Sequence, residues 1–381
     1  MKQPSSKPGV TVPPPSLDEI RVKVDEALDI CLQTFRGRFL PTSSVWLVDE
    51  IGRVVRSGGR RIRPLLCCLG YAAVGGEGGP EDGRIIKAAA SLELLHTFAL
   101  VHDDVMDDGS KRRGQATTHR RAAEERKSGG YPDAERYGIS VAVLTGNLAL
   151  VISDTLIAES GFDPAAILSA ATPLGNMRMD AVAGQYLDLK HSGAASADEE
   201  IAATIGRLKT SSYSISGPLQ IGATLGGGTD RAKQTLGDFA EPLGDAFQLA
   251  DDLIGLLGDP DRTGKDSEND LRQGRPTSLI VRAMGLAAGE DRETIKRVWG
   301  NPESSEDDVA ALRDAVARSG APASITASIR QLVSEAKMAL AGGAKHDLQE
   351  PPCRVLEKMA DQVSESASRS WPRDRAWGDL R

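Results

Sequence analysis

Residues 100–107 have the sequence Leu-Val-His-Asp-Asp-Val-Met-Asp and end an apolar run that begins near Ser91. On a helix, Asp103 and Asp107 are four residues apart, so their carboxylates share one face. Carboxylates gathered on an apolar helix repel each other and are costly to bury, and a bound divalent cation removes that cost. Mg²⁺ suits such a cluster, because it takes few protein carboxylates and completes its shell with water and substrate phosphates. The stretch therefore predicts a metal-binding core helix.

A similar stretch, Gln-Leu-Ala-Asp-Asp-Leu-Ile-Gly, ends a second apolar helical run at residues 248–255. The matching context favours metal binding over a solvated helix end at both places. An EF-hand loop does not fit the first stretch: with Gly109 at the sixth position, Met106 and Gln115 occupy the third and twelfth positions, where neither is an adequate ligand. Two acidic helices facing one cavity would form a site for a diphosphate bound through Mg²⁺.

The composition favours a helical protein with a small anionic ligand. The chain of 381 residues has 46 basic and 54 acidic side chains, and its net charge of −8 argues against nucleic acid as the main partner. Aromatic residues are only 4% of the chain, and alternation of polar and apolar residues is nearly absent. We therefore expect an all-α fold, a single large helical bundle around a central apolar cavity.

The organisation of the chain follows from its ends and its cysteines. Residues 1–16 are polar and Pro-rich and are expected to form a disordered arm, residues 17–368 a helical domain, and residues 369–381 a polar tail. The N-terminal segment has no apolar core of a signal peptide, and no uninterrupted apolar run of about 18 residues lacks charges, so no membrane span is expected. The cysteines form no zinc pattern and need no disulfides, which indicates a reducing, cytoplasmic location. They are Cys31, Cys67, Cys68 and Cys353.

Three groups of cations lie on loops beside the acidic helices. Gly-Gly-Arg-Arg-Ile-Arg-Pro occupies residues 58–64, Lys-Arg-Arg-Gly occupies residues 111–114, and Lys265 and Arg275 follow the second acidic stretch. The glycines let backbone amides approach an anion, and guanidinium groups bind phosphate oxygens in pairs. One basic loop is weak evidence, but three of them predict two anionic groups, one bound through Mg²⁺ and one bound directly by Arg and Lys.

On these motifs the chain resembles the trans-isoprenyl diphosphate (polyprenyl) synthase family, over roughly residues 17–368. Residues 58–64 resemble the family's Gly-Gly-Lys-x-x-Arg element, and the acidic stretch with residues 112–114 resembles its first Asp-rich motif. Three further elements match in family order: Gly-Gln-x-x-Asp at 184–188, Lys-Thr at 209–210 and Phe-Gln-x-x-Asp-Asp at 247–252. Each element is modest alone, and together they are highly specific.

The resemblance implies the reaction and its residues. Isopentenyl diphosphate would condense head-to-tail with dimethylallyl, geranyl or farnesyl diphosphate through an allylic carbocation, in a homodimer with three Mg²⁺ ions that Mn²⁺ can replace. The implied metal ligands are Asp103, Asp104, Asp107 and Asp251. Arg112, Lys209 and Lys265 are the implied contacts of the allylic diphosphate, and Gln185 and Asp188 would support metal-bound water or the diphosphate. Asp252 and Arg275 are further implied substrate-binding residues. Isopentenyl diphosphate would be held by Arg60, Arg63, His96 and Arg113, and the carbocation would be lined by Thr210 and Gln248.

The resemblance is incomplete at three positions. Arg60 replaces the usual Lys, Gly255 replaces the last Asp of the second motif, and Asn147 stands where the family often has Asp. We interpret these changes as variation within an active enzyme, because the other charged motif positions are filled. A class I terpene cyclase lacks support, since its Asn/Asp-Asp-x-x-Ser-x-x-x-Glu motif is absent near Asp251. A non-catalytic subunit of a heteromeric synthase is the second alternative.

The length of the product depends on the residues that precede the first Asp-rich motif. Ala99 lies one helical turn below Asp103 on the same face and is expected to form the floor of the allylic pocket. Phe98 is expected to point aside, and His102 to face a neighbouring helix rather than a metal. The resemblance to synthases with this Phe-Ala pair implies geranylgeranyl diphosphate as the product, with farnesyl and geranylfarnesyl diphosphate as alternatives.

Overall fold

The computed structural model describes residues 16–79, 82–193, 198–258 and 271–370, without the side chains of residues 344–346 and 370. Within these ranges almost the whole chain is helical, as the sequence predicts. Lys265 lies outside the described residues. Of the predicted arm only Ser16 is described, and of the predicted tail only residues 369–370.

The N-terminal half of the bundle contains α1 (Leu17–Phe39), α2 (Val45–Arg56), α3 (Ile62–Ala73), α4 (Gly83–Met106), α5 (Thr118–Ser128), α6 (Ala134–Ala158) and α7 (Pro164–His191). It continues with α8 (Glu199–Gly206), a π-helix (Arg207–Ser216), α9 (Gly217–Leu225) and α10 (Asp230–Leu257). The C-terminal part contains α11 (Ser278–Leu286), α12 (Gly289–Val298), α13 (Glu306–Arg318), α14 (Ala321–Asp347) and α15 (Glu350–Ser370).

One segment differs from its predicted loop. The basic residues after the first acidic stretch form a hairpin of two short antiparallel strands, β1 (Lys111–Arg112) and β2 (Gln115–Ala116). Asp108 and Arg113 adopt positive φ angles of 49° and 51° on either side of β1. The hairpin therefore turns the chain sharply at the end of α4 and brings its arginines back beside that helix.

Helix α4 is the element that places the first acidic stretch. The Asp82 side chain caps its N-terminus by accepting a hydrogen bond from the backbone N–H of Arg84. Most of the helix is buried, including the apolar residues from Ile85 to Leu95, and it packs against α1, α3 and α6. Because the helix is fixed on several sides, its acidic end has a defined position inside the bundle.

Helices α3 and α9 pack with their backbones in close contact. A Cβ atom at Gly222 would lie 1.8 Å from the carbonyl oxygen of Cys67, and one at Gly70 would lie 2.2 Å from that of Leu219. Glycine is therefore required at both positions of this crossing. Since α9 continues directly from the π-helix, the contact also fixes the π-helix in the bundle.

The core consists mainly of two clusters of buried residues. One joins α3, α9 and α10 to the C-terminal helices, and the other joins α1 to α4, α6 and α7. The four cysteines are free and buried, in agreement with the prediction that they need no disulfides. Cys67 and Cys68 pack as small apolar side chains in the second cluster.

Two helices, α4 and α6, are long and apolar enough to cross a membrane by length and composition alone. In the bundle, 67% of the most apolar window of α4 and 44% of that of α6 are buried. A core helix of a soluble protein passes the same test, so this finding is weak evidence for a membrane span.

Candidate active site

The first acidic stretch lies at the C-terminal end of α4, inside the bundle. The side chains of Asp103, Asp104 and Asp107 are only 22%, 8% and 11% exposed. Asp103 and Asp107 each pair with a cation that also pairs with Asp188 of α7. The structure thus brings together four of the acidic side chains that the sequence selects, from two helices.

Three cations neutralise this acidic cluster, and each comes from a different element. Lys209 Nζ of the π-helix lies 2.7 Å from Asp188 Oδ2 and 3.2 Å from Asp103 Oδ1. Arg112 of β1 donates to Asp104 at 2.7 Å and to Asp103 at 3.1 Å. Arg275 pairs with Asp107 and approaches Asp188 to 3.5 Å. All three cations are among the substrate-binding residues that the sequence analysis predicts.

The cluster holds carboxylates with opposite pKa shifts. Burial raises the pKa of Asp104 to about 6, although Arg112 opposes the shift. Burial and the neighbouring Asp103 carboxylate raise the pKa of Asp107. Burial would also raise the pKa of Asp103, but Lys209, Arg112 and Arg275 together lower it below its usual value. The negative charge of Asp103 is therefore fully compensated by cations, whereas the charges of Asp104 and Asp107 are held at a cost in free energy.

The second acidic stretch lies on α10, where its two carboxylates have different environments. Gln248 Nε2 donates to Asp252 Oδ1 at 2.5 Å, and the backbone N–H of Ser278 donates to Asp252 Oδ2 at 3.2 Å. Asp251 instead lines a cavity of about 350 Å³ together with Arg60. A Cβ atom at Gly255 would meet nothing within 4 Å, so space does not explain the missing carboxylate.

The arginines of the first basic loop point in three directions. Arg60 lies over the ring of Phe247, with 5.4 Å from its guanidinium carbon to the ring centroid. Arg61 turns inward, where it bonds at 2.8 Å to both Asp25 and Glu93. The sequence analysis treated this loop as one anion site, whereas the ion pairs of Arg61 give it a structural role. Arg60 and Arg63 of the loop, together with Arg113 of the hairpin, remain available to a ligand.

Arg113 joins the hairpin to the glycines of the same loop. Its guanidinium group donates to the carbonyl oxygen of Gly58 and to the hydroxyl of Ser57. A Cβ atom at Gly59 would lie 3.1 Å from this guanidinium, and Gly58 and Gly59 both have positive φ angles. The two basic segments that the sequence predicts therefore form one continuous basic surface.

Arg63 and His96 both lie near the ring of Tyr213. Arg63 donates to Ser214 Oγ at 2.6 Å, and its guanidinium carbon lies 4.4 Å from the ring centroid of Tyr213. His96 has a buried Nδ1 with no partner among the described residues, and burial and the neighbouring arginines keep its pKa well below the usual value. Sequence reasoning missed Tyr213, although it closely follows the Lys-Thr pair at 209–210.

Two further selected residues, Gln185 and Thr210, lie on α7 and on the π-helix. Both amide atoms of Gln185 are buried without a partner in the described part of the chain, which suits contact with a ligand. Thr210 lies beside Lys209 in the π-helix and is half-buried. Their roles in the reaction stay predictions.

The residues below the acidic stretch lie against α6. His102 Nε2 lies 3.1 Å from the carbonyl oxygen of Val143, which agrees with its predicted orientation toward a neighbouring helix. Phe98 packs edge-to-face on His102, with 4.7 Å between the ring centroids. Phe98 and Ala99 are both partly buried against the second core cluster. Phe98 therefore turns toward α6, and Ala99 is the small residue of the pair.

The donor set of the acidic cluster fits Mg²⁺ that is bound jointly with a phosphate ligand. Within the described ranges, no three His, Cys, Asp or Glu side chains converge closely enough to hold an ion alone. The available donors are carboxylate oxygens, and Mg²⁺ characteristically takes one or two carboxylates together with substrate phosphates and water. A diphosphate would complete the shell while pairing with the cations of the cluster.

Comparisons with known proteins agree with this geometry. The Polyprenyl synthetase family model matches residues 44–316. The chain is 32% identical over 271 residues to geranylfarnesyl diphosphate synthase of Aeropyrum pernix, covering 70% of this chain and 78% of that protein. It is 29% identical over 263 residues to geranylgeranyl diphosphate synthase of Sulfolobus acidocaldarius, covering 68% and 73% of the two chains.

A solved structure shares both the fold and part of the sequence. Geranylgeranyl pyrophosphate synthase of Corynebacterium glutamicum, complexed with isoprenyl diphosphate and magnesium, superposes with a TM-score of 0.86 at 30% identity. The match covers 92% of this chain and 100% of that one.

We expect Asp104→Asn to raise the melting temperature of the metal-free protein at pH 8 by roughly 2–5 °C. The folded-state pKa of Asp104, about 6, exceeds the ordinary value of 3.8, so the folded state binds more protons between these values and loses stability as pH rises through them. At pH 5, which lies between the two pKa values, the gain should fall to roughly half. Melting curves at both pH values test this.

Asp108→Asn is the matched control, because its carboxylate is 79% exposed and lies next to the cluster. We also expect Mg²⁺ with inorganic diphosphate to raise the melting temperature of the wild type more at pH 8 than at pH 5, since metal ligands must be deprotonated. An Asp104→Asn variant that is less stable than the wild type at both pH values would contradict the prediction.

Proposed function

Because this chain belongs to the polyprenyl synthetase family, we propose that it condenses isopentenyl diphosphate with an allylic diphosphate and forms mainly geranylgeranyl diphosphate. The chain is a trans-prenyltransferase. One observation carries the proposal: the π-helix places Lys209, in the acidic cluster, about one turn from Ser214, which contacts Arg63. This arrangement supports a metal-dependent diphosphate site beside a metal-independent one.

The allylic diphosphate is proposed to bind at the acidic cluster with three Mg²⁺ ions. Asp103, Asp104 and Asp107 would hold the ions from α4, and Asp251 would hold them from α10. When bound, Mg²⁺ neutralises the charge that develops on the departing diphosphate, and Mn²⁺ would substitute because it prefers the same oxygen ligands. The oxygen-rich donor set of the cluster supports this assignment.

The cations of the cluster are proposed to exchange carboxylate partners for the diphosphate. Arg112, Lys209 and Arg275 are paired with carboxylates in the described structure, so they are already oriented toward the site. As the carbon–oxygen bond breaks, positioned cations stabilise the growing negative charge without further reorganisation. Lys265, which lies outside the described residues, is proposed as a further contact of the substrate, together with Gln185, Asp188 and Asp252.

Isopentenyl diphosphate is proposed to bind directly to cations, with Arg60, Arg63 and Arg113 contacting its phosphate oxygens and His96 donating from a neutral ring. The low pKa of His96 supports a neutral ring, and its unpartnered Nδ1 supports contact with a ligand. The double bond of the bound substrate would then attack the allylic cation from a fixed position.

The carbocation needs a site that excludes water but supplies oxygen dipoles. Thr210 and Gln248 are proposed to provide these dipoles, because Thr210 follows Lys209 in the π-helix and Gln248 lies on α10, which packs against the π-helix. The packing of Gly206 against Gln248, where a Cβ would approach within 2.8 Å, supports this close placement. The departing diphosphate is the proposed base for the final proton, and the apolar walls protect the cation from hydrolysis.

The chain is proposed to act in the cytoplasm as a homodimer. Helix α6 exposes an apolar face that no other described element covers, which suits association with a second copy. Its exposed residues include Ile139, Val143, Leu144 and Val151. The burial of most of α4 in the bundle supports a soluble location.

Product analysis tests the proposed reaction. Purified protein with Mg²⁺ is incubated with isopentenyl diphosphate and, in separate reactions, dimethylallyl, geranyl or farnesyl diphosphate, and the dephosphorylated products are sized by mass spectrometry. We expect geranylgeraniol. We also expect Asp103→Ala to lower kcat at least about 100-fold with little loss of folding, because it removes a ligand and the partner of Lys209.

Asp108→Ala is the control for this variant, since it removes an exposed carboxylate outside the cluster. Farnesol or geranylfarnesol would keep the reaction and refute the product length. A wild type without elongation on any primer would favour a non-catalytic subunit, and a cyclic hydrocarbon formed without isopentenyl diphosphate would favour a cyclase.

We expect Ala99→Phe to shorten the product to farnesyl or geranyl diphosphate while turnover continues. The added ring would fill the space below Asp103, where a growing chain must pass. Leu100→Phe is the control, because the same ring then lies about 100° around the helix axis. Mass spectrometry of both variants decides the matter: an unchanged product in Ala99→Phe would place the floor of the pocket elsewhere.

We expect the double variant Leu144→Glu, Val151→Glu to be monomeric at micromolar concentration. Charges placed in an apolar interface would be buried without partners, which opposes association. Light scattering coupled to size-exclusion chromatography measures the mass. Met338→Glu is the control, because Met338 is 63% exposed on α14, away from α6. A dimeric double variant would exclude this face as the interface.

A further inference from the structure

We propose that Tyr213 and Ser214 form a clamp that positions Arg63 and thereby sets the affinity for isopentenyl diphosphate, an inference that rests on the proposed function. The clamp has two contacts of different kinds. The Tyr213 ring stacks on the guanidinium group, with 4.4 Å from the guanidinium carbon to the ring centroid. The Ser214 hydroxyl accepts a hydrogen bond of 2.6 Å from Arg63 Nη2.

Two contacts are enough to define the orientation of Arg63. An aromatic face fixes the plane of a guanidinium group, and a hydrogen bond to one terminal nitrogen fixes its rotation within that plane. Tyr213 and Ser214 are themselves only 5% and 3% exposed, so neither can move away easily. Arg63 has a long side chain with high rotamer entropy, and this entropy is lost before the ligand arrives.

The atoms that the clamp leaves without partners indicate a ligand. Arg63 Nε, His96 Nδ1 and the Tyr213 hydroxyl are all buried, and none has a hydrogen-bond partner within the described ranges. The rings of His96 and Tyr213 lie near each other, with 6.2 Å between their centroids. Three orphaned polar atoms in one place would cost several kcal/mol in a purely structural core, so the group is arranged for an acceptor that binds there.

Simple core packing explains Tyr213 less well. Phenylalanine would fill the same volume without burying a hydroxyl that lacks a partner, at a saving of roughly 1–3 kcal/mol. The adjacent Ser214 contributes to the same arginine, which packing alone does not require. Both residues therefore act on Arg63 rather than only filling space.

The close packing of the π-helix backbone also fixes the clamp relative to Lys209. Gly184 and Gly244 flank this helix so closely that a Cβ would lie 2.5 Å from the backbone nitrogen of Lys209 or 2.6 Å from the Cβ of Ser211. The helix is therefore held from both sides. Lys209 and the clamp thus share one fixed backbone, and the cations for the two substrates keep a constant separation.

The clamp is tested by steady-state kinetics with both substrates varied. We expect Tyr213→Leu to raise the KM for isopentenyl diphosphate roughly 5- to 30-fold, because stacking is lost. We expect Ser214→Ala to raise it about 10-fold, because a hydrogen bond to a charged group is lost. The KM for the allylic substrate should change less than about 2-fold, and Tyr213→Phe, which keeps the stacking ring but removes the buried hydroxyl, should raise the KM for isopentenyl diphosphate clearly less than Tyr213→Leu does.

A double-variant cycle separates positioning from general damage. In an Arg63→Met background, Tyr213→Leu should add less than about a 2-fold change, because the residue through which it acts is gone. Tyr71→Leu is the matched control: Tyr71 is also buried, at 2% exposed, but its hydroxyl bonds to the carbonyl oxygen of Glu77. It should lower the melting temperature without a selective change in KM.

These experiments distinguish a failure of the clamp from a failure of the proposed function. A wild type without prenyl transfer overturns the function itself. An active wild type in which Tyr213→Leu raises both KM values equally, or in which its effect persists in the Arg63→Met background, overturns the clamp. A Tyr213→Phe variant as impaired as Tyr213→Leu would assign the effect to the hydroxyl and would also overturn it.

Discussion

The burial of several carboxylates at the end of one core helix is the constraint on which the rest of the site depends. Helix α4 carries Asp103, Asp104 and Asp107 into the bundle, where unpaired charges would cost several kcal/mol each. The compensating cations come from three elements far apart in the chain, the hairpin, the π-helix and the segment before α11. The fold must therefore bring all three elements to the end of α4, and this requirement determines how the two halves of the bundle meet.

The sequence predicted the helical class, and it selected the carboxylates that the structure gathers at the end of α4, because helix class and residue spacing are both local properties. A separation of four residues places Asp103 and Asp107 on one helix face, whereas His102, the residue before Asp103, turns toward α6. The first acidic stretch and Asp188 also meet in the structure, together with Arg112, Lys209 and Arg275. Helix periodicity and charge are visible in a sequence, so these features could be predicted.

Other features could not be predicted, because they depend on backbone geometry. The π-helix differs from an α-helix only in its hydrogen-bond register, and its sequence contains no residue that requires the change. In the sequence alone, Tyr213 cannot be distinguished from an ordinary core residue. Only the structure shows that its ring stacks on the guanidinium group of Arg63. Arg61 cannot be distinguished from its neighbours in the basic loop, and its inward direction follows from a positive φ of 52°, a strain that its buried ion pairs offset.

The hairpin after α4 has a consequence for how the chain can change in evolution. Arg112 bonds to the acidic cluster, whereas the next residue, Arg113, bonds to the glycine loop on the other side. An inserted or deleted residue between Asp108 and Thr117 would shift both arginines at once and disconnect two binding regions. Sequence length in this segment is therefore under much stronger selection than amino-acid identity at its exposed positions, and descendants of this gene should diverge there by substitution alone.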